Sequence, residues 1–251
     1  MARKPIIAGN WKMYKTQSEA ADLANALASA VGTYDKVDVV VCPTYTSLEV
    51  VAQAIRGTGI KLGAQNCHFE AEGAFTGEIS LPMLKEIGVE FVIVGHSERR
   101  QYFGETDAAI NKKAAAIFKA GLTPIICVGE RLEERESGKT SDVVTQQVKG
   151  CLADLPADKV AASVIAYEPV WAIGTGKTAS KEQAQEVHAL IRKVVAEMFS
   201  QQTADAVRIQ YGGSVKPENA RELMAQSDVD GALVGGAALK ADSFAGIIKF
   251  E

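Results

Sequence analysis

Three side chains with acid–base or cationic chemistry stand where apolar segments of the chain end. Glu168 closes Val164-Ile165-Ala166-Tyr167, His96 closes the run that begins at Phe91, and Lys12 follows Pro5–Gly9 just behind Asn10. A carboxylate at the end of an apolar segment must be paired, hydrated by a cleft, or raised in pKa by poor solvation. The last state suits a general base; the plainer alternative is a satisfied structural glutamate. His96 precedes Ser97-Glu98-Arg99-Arg100, which reads as the first turn of a helix. The dipole of that helix would disfavour imidazolium and leave a neutral ring able to donate to a carbonyl. Lys12 reads either as a surface lysine or as the cation facing a phosphate or a developing oxyanion, and spacing alone does not choose. His188 shares a helix face with Lys181, Gln185 and Arg192 and is expected to be solvated, while His68 lies in a polar loop with no evident chemistry.

Glycine pairs follow two later apolar runs, as Gly212-Gly213-Ser214 and Gly235-Gly236. Glycines let backbone N–H groups approach an anion closely, and a following helix N-terminus adds about half a positive charge. Either pair alone could be a tight turn. Together on adjacent strands they point to a phosphorylated small molecule. Several similar patterns fail. Gly174-Thr175-Gly176-Lys177-Thr178 lacks the first glycine of a nucleotide loop, since Trp171 stands there, and Gly174, Gly176 and Ala179 do not directly follow a strand as a dinucleotide fingerprint should. Gly95-His96-Ser97-Glu98-Arg99 ends in arginine where a nucleophile elbow needs glycine. No H-E-x-x-H or Cys/His ligand spacing occurs, so no metal is implied.

The elements that must position these groups are legible as a repeat. Eight short apolar runs recur, at Pro5–Gly9, Val37–Cys42, Ile60–Gln65, Phe91–Gly95, Leu122–Gly129, Ser163–Glu168, Val207–Tyr211 and Gly231–Gly235. Each is rich in Val and Ile without alternation, the pattern of strands covered on both faces, as in parallel sheets. Between them lie helical periodicities. The clearest begins at Lys181, with Ala184, Val187, Ile191, Val194 and Met198 on one face and Ser180 with Gln183 as its capping box. Others are expected over Ser18–Val31, Ser47–Arg56, Leu81–Ile87, Ala108–Ala120, Leu132–Leu152, Pro217–Gln226 and Leu239–Phe250. Right-handed crossovers leave a closed (β/α)8 barrel or an open doubly wound sheet, and eight units in ~250 residues match the barrel. The expectation is an α/β chain forming a single-domain (β/α)8 barrel over residues 1–251, with eight parallel strands inside a ring of helices. In a barrel the polar clusters would share the C-terminal rim, where such enzymes hold their active sites.

Composition is consistent with this. The chain has 251 residues, 47% hydrophobic and 23% charged, with 22 Gly and 7 Pro, which excludes collagen-like, disordered and disulfide-scaffold classes. Twenty-seven basic and 31 acidic residues, interspersed, give a net charge of −4 and no basic footprint for nucleic acid. Cys42, Cys67, Cys127 and Cys151 lie far apart without a C-x-x-C pair, which suits reduced, buried thiols and a cytoplasmic setting. Neither a signal-peptide core nor an apolar run long enough to span a membrane is seen, so no membrane partner is expected.

Six motifs in order resemble the triosephosphate isomerase family over essentially the whole chain: Gly9-Asn10-Trp11-Lys12-Met13, Gly73-Ala74-Phe75-Thr76-Gly77-Glu78, Gly95-His96-Ser97-Glu98-Arg99-Arg100, the stretch from Ala166 through Glu168-Pro169-Val170-Trp171 to Ala179, Tyr211-Gly212-Gly213-Ser214-Val215, and Gly231 to Ala237. That family is a standing example of a glutamate base, a neutral histidine and a closing loop, so these roles are implied by the resemblance and not by spacing. It implies interconversion of dihydroxyacetone phosphate and D-glyceraldehyde 3-phosphate without a cofactor. Glu168 would take the proton, His96 polarise the carbonyl, Lys12 and Asn10 stabilise the enediolate, and Glu98 orient Lys12. Gly174, Ser214, Gly235 and Gly236 would hold the phosphate. Pro169, Val170 and Trp171 with Lys177, Thr178 and Ala179 would be lid hinges, Ile173 and Leu233 would cover the base, Tyr211 and Ser214 would latch the lid, and Glu130 would hold it open through Trp171. Exclusion of water would prevent loss of phosphate from the enediolate. The resemblance also implies a homodimer, with Thr76 approaching the Lys12 and Asn10 of a second subunit and Glu78 pairing with its Arg99. Two departures stand out: Tyr14, where Asn is usual, and Cys67-His68-Phe69-Glu70 in the dimer loop.

Two other classes compete. A non-catalytic sugar-phosphate-binding barrel would bind phosphate without turnover. A lyase would form a Schiff base through Lys12 or Lys240, but no lysine stands inside a strand facing the barrel.

Overall fold

Residues 3–172 and 179–251 are described by a computed structural model. Eight strands close into a parallel barrel in chain order: β1 (Ile6–Asn10), β2 (Asp38–Cys42), β3 (Ile60–Ala64), β4 (Phe91–Val94), β5 (Thr123–Val128), β6 (Val164–Tyr167), β7 (Arg208–Tyr211) and β8 (Gly231–Val234). β8 returns to β1 with Ile6 opposite Gly231 and Gly9 opposite Val234. Gly231 permits this closure, because a Cβ there would lie 1.9 Å from the Ile6 carbonyl oxygen.

Each strand alternates between two packed faces. Ile6, Ala8, Val40, Cys42, Phe91, Ile93, Ile125, Cys127, Val164, Ala166 and Leu233 fill the barrel. Their neighbours, such as Ile7, Val39, Val41, Val92, Ile126 and Ile165, face the helices and join the larger outer core. Both faces are apolar, which is why the runs do not alternate in sequence. One polar side chain is accommodated on β7: buried Gln210 donates to the carbonyls of Ile6 and Ala232 at 3.0 and 3.2 Å.

The helices agree with the periodicity at their caps. Ser180 and Gln183 exchange hydrogen bonds at 3.2 and 2.9 Å and start the helix Lys181–Met198. Thr106 caps Asp107–Lys119, which is followed by Gly121 at φ 78°. The expected helix Leu132–Leu152 is instead two, Leu132–Glu136 and Thr140–Leu152, because Ser137 Oγ–H donates back to the Glu133 carbonyl at 2.7 Å and Gly138 adopts φ 72°. Ala157–Ala162 and Gln201–Ala206 are helices too short to show a period in sequence.

His188 departs from expectation most. It is fully buried, not solvated, because Gln185 and Arg192 turn inward and bind the Asp228 carboxylate, each at 2.6 Å. Burial pushes the His188 pKa down to about 4. Among the described residues no helix is long and apolar enough to cross a membrane.

Candidate active site

The C-terminal ends of β1, β4, β6, β7 and β8 bring the candidate residues together. Beyond β1 the chain turns sharply: Lys12 has φ 52°, and its N–H donates to the Asn10 side chain at 3.0 Å. A non-glycine residue in this region is uncommon and strained. The Lys12 carbonyl is held by Gln65 Nε2–H at 2.8 Å, and the ammonium meets Glu98 Oε1 at 2.6 Å. Lys12 is thus fixed at both ends.

His96 is the N-cap of the helix Ser97–Phe103, and its Nδ1 accepts the Glu98 N–H at 3.3 Å. A ring nitrogen that accepts from a backbone amide carries no proton, so the remaining proton sits on Nε2 and the ring is neutral. Nε2 faces Glu168 Oε1 at 3.0 Å. The Glu168 carboxylate also accepts from Ser97 N–H at 2.9 Å and Ser97 Oγ–H at 3.0 Å, and it is almost fully buried. Burial favours its neutral form, but the His96 contact and the two Ser97 donors together outweigh that and hold the carboxyl below its usual range. Burial likewise resists charging His96, but the neighbouring Glu168 outweighs it and raises the imidazole pKa above its usual value, so the neutral assignment rests on the Nδ1 acceptor geometry. Of the three states open from sequence, Glu168 therefore adopts the paired one.

The glycines make this approach possible. A Cβ on Gly212 would lie 2.9 Å from Glu168 Cγ, and one on Gly213 would lie 2.2 Å from the Tyr211 hydroxyl oxygen. Gly212, Gly213, Ser214, Gly235 and Gly236 then wall a cavity of about 350 Å³ whose floor is Asn10, Lys12, His96 and Leu233. Donors and small residues of this kind suit an anionic ligand. Among the described residues no group of three or more His, Cys, Asp or Glu is placed to hold a metal ion.

A triosephosphate isomerase family model matches residues 5–251. The chain is 57% identical over 249 residues to the triosephosphate isomerase of Trichlorobacter lovleyi, covering 99% of each chain. It is 59% identical over 247 residues to that of Carboxydothermus hydrogenoformans, covering 98% of each. It is also 57% identical over 248 residues to that of Alkaliphilus oremlandii, covering 99% of this chain and all of the relative. The chain belongs to the triosephosphate isomerase family.

The residues that the family resemblance assigned to a lid divide at the described boundary. Ile173, Gly174, Lys177 and Thr178 lie outside the described residues. Pro169, Val170 and Trp171 follow β6 and are anchored by buried Glu130, whose carbonyl accepts the Val170 N–H at 3.1 Å and whose Oε1 accepts Trp171 Nε1–H at 2.9 Å. Tyr167 and Arg135 donate to the same oxygen, each at 3.1 Å, and the Arg135 guanidinium lies 5.0 Å over the Trp171 ring. Ala179 is buried with its backbone beside the Tyr211 hydroxyl.

A second cavity, about 420 Å³, opens on the far side of Lys12 and His96 and is lined by Met13, Tyr45, Gln65, Arg99, Tyr102 and Phe103. Arg99 here pairs within the chain with Glu105 at 3.0 Å and lies over Phe103. Thr76 and Glu78 are exposed on the 66–79 loop, whose His68 stacks between Phe69 and Phe75 at 4.5 and 4.1 Å. Sequence reasoning missed Ser97, Gln65 and Arg135. Ser97 carried a signal, its place beside His96 at a helix start; Gln65 and Arg135 carried none.

Proposed function

We infer that this protein interconverts dihydroxyacetone phosphate and D-glyceraldehyde 3-phosphate by proton transfer. In the ketone-to-aldehyde direction Glu168 removes a proton from the carbon bearing the hydroxyl, the electron pair of that C–H bond forms the C=C bond of the enediolate, and the carbonyl π pair moves onto its oxygen. His96 Nε2–H donates to that oxygen, while the Lys12 ammonium and Asn10 stabilise the enediolate charge. His96 Nε2–H passes its proton to the former carbonyl oxygen and the ring takes up the hydroxyl proton of the neighbouring carbon, so that a new carbonyl forms there as Glu168 returns its proton to the former carbonyl carbon.

The observation that carries this reading is the 3.0 Å contact between Glu168 Oε1 and His96 Nε2 beside the glycine-walled cavity. His96 has one N–H, and in the resting protein Glu168 occupies it. Substrate can use that donor only if the carboxylate turns away, which also takes it from both Ser97 donors. A buried carboxylate stripped of three donors becomes a stronger base. Phosphate binding at Ser214, Gly235, Gly236 and Gly174 supplies the free energy for the rearrangement, and the lid shields the enediolate from water.

The protein acts as a homodimer in this reading. Exposures of 91% at Met13, 69% at Tyr102 and 68% at Phe103 leave an apolar rim around the second cavity that a second copy would cover. The Thr76 loop enters it, and Glu78 pairs with the partner's Arg99. The test is steady-state conversion of D-glyceraldehyde 3-phosphate without added metal or nucleotide, with sedimentation velocity on the same sample. Turnover by a dimer is expected. Phosphate binding without turnover would favour the binding-barrel alternative.

A further inference from the structure

We propose that Lys216 captures the phosphate dianion of the substrate at the mouth of the catalytic cavity, an assignment that rests on the isomerase reading. Among the described residues the cavity lining holds two cations, Lys12 and Lys216, and no Asp or Glu. Lys12 is committed to Glu98 at 2.6 Å, so that pair adds little net field, and its place is at the reacting oxygens. The chain as a whole carries −4 and repels a dianion. Lys216 is exposed and makes no salt bridge among the described residues, which leaves its charge free to act on the incoming ligand.

Its position is fixed from two directions. Pro217 restricts the preceding residue to extended backbone, and Lys216 has φ −135° and ψ 161°. The Lys216 N–H donates to Asn219 Oδ1 at 2.8 Å, while Asn219 Nδ2–H donates to the Ser214 carbonyl at 3.1 Å. One side chain thus ties the phosphate-facing turn to the residue carrying the free ammonium. The stem starts from a set point and the charged end stays in water. A solvated charge of this kind attracts substrate and transition state alike, so it acts on capture and not on the chemical step. Its reach falls with salt, since the screening length is about 30 Å at 0.01 M and about 3 Å at 1 M.

The test compares Lys216→Gln and Lys216→Arg with the parent enzyme across ionic strength. At ~10 mM the glutamine variant is expected to lose roughly three- to fivefold in kcat/KM for D-glyceraldehyde 3-phosphate with kcat unchanged, and the gap should close near 0.5 M. The arginine variant should keep the parent value. Inorganic phosphate should inhibit the glutamine variant more weakly by the same factor, while unphosphorylated D-glyceraldehyde should react equally with both. Equal kcat/KM at low salt, a loss that persists at high salt, or an equal loss with D-glyceraldehyde would overturn the assignment. A parent protein without turnover would sink the isomerase reading instead, and phosphate affinity would still test Lys216.

Discussion

Replacing Ser97 by alanine removes one of the three donors that hold Glu168 in its resting place. The Ser97 hydroxyl lies 3.0 Å from Glu168 Oε1 in a buried site, while the Ser97 N–H, 2.9 Å from Oε2, survives the change. A hydrogen bond to a charged group contributes about 1.5–3 kcal/mol. At about 1.36 kcal/mol per pKa unit, its loss raises the proton affinity of the Glu168–His96 pair by roughly 1–2 units. The acid limb of kcat/KM reports the free enzyme, so it should move up by that amount in Ser97→Ala. The acid limb of kcat should move less, because substrate has already drawn Glu168 away from Ser97. The substrate phosphate titrates identically with both proteins, so the difference between the two profiles isolates the enzyme groups. A 13C titration of labelled glutamate carboxyls should show the same rise. An acid limb of kcat/KM that stays in place, or one that shifts equally in kcat, would refute the reasoning.

Other expectations follow from burial and close approach. His188 binds its proton near pH 6.5 when unfolded and only near 4 when folded, so stability should fall as pH drops through that window, by on the order of 3 kcal/mol in full. Melting curves of His188→Gln should show a shallower loss over the same range; an unchanged slope would remove His188 from the account. Gly213→Ala would place a methyl group 2.2 Å from the Tyr211 hydroxyl oxygen and displace the turn before Ser214. Phosphate inhibition should weaken by roughly tenfold, about 1.4 kcal/mol, with the circular dichroism spectrum retained. Arg192→Met removes the guanidinium that lies 2.6 Å from each of the Asp228 and Asp230 carboxylates, while Gln185 still donates to Asp228 and Arg3 still pairs with Asp230. A cost of about 1.5–3 kcal/mol should lower Tm by roughly 3–12 °C.

Much of the barrel was legible because parallel strands buried on both faces leave continuous apolar runs, and Ser180 with Gln183 or Gly121 mark helix ends by local chemistry. Gly138 broke a helix within a periodic stretch, where a back-bonding serine decides the outcome and periodicity does not. Lys12, Glu98, His96 and the glycine turns converge as residue type and strand-end position implied. What sequence could not give was pairing. Glu168 is held by Ser97 and His96, not left poorly solvated, because contacts between β4 and β6 arise only from closure. His188 misled for the same reason: polar neighbours on its helix face bind Asp228, and no local pattern distinguishes a carboxylate partner from water.

In the proposed mechanism Glu168 moves the proton while His96 polarises the carbonyl. The decisive measurement is turnover of purified Glu168→Gln, since glutamine keeps the shape of the side chain and removes the carboxylate. A fall in kcat of roughly 10²–10⁴, with inorganic phosphate still bound, is the result this mechanism predicts. Turnover close to that of the parent enzyme would contradict it.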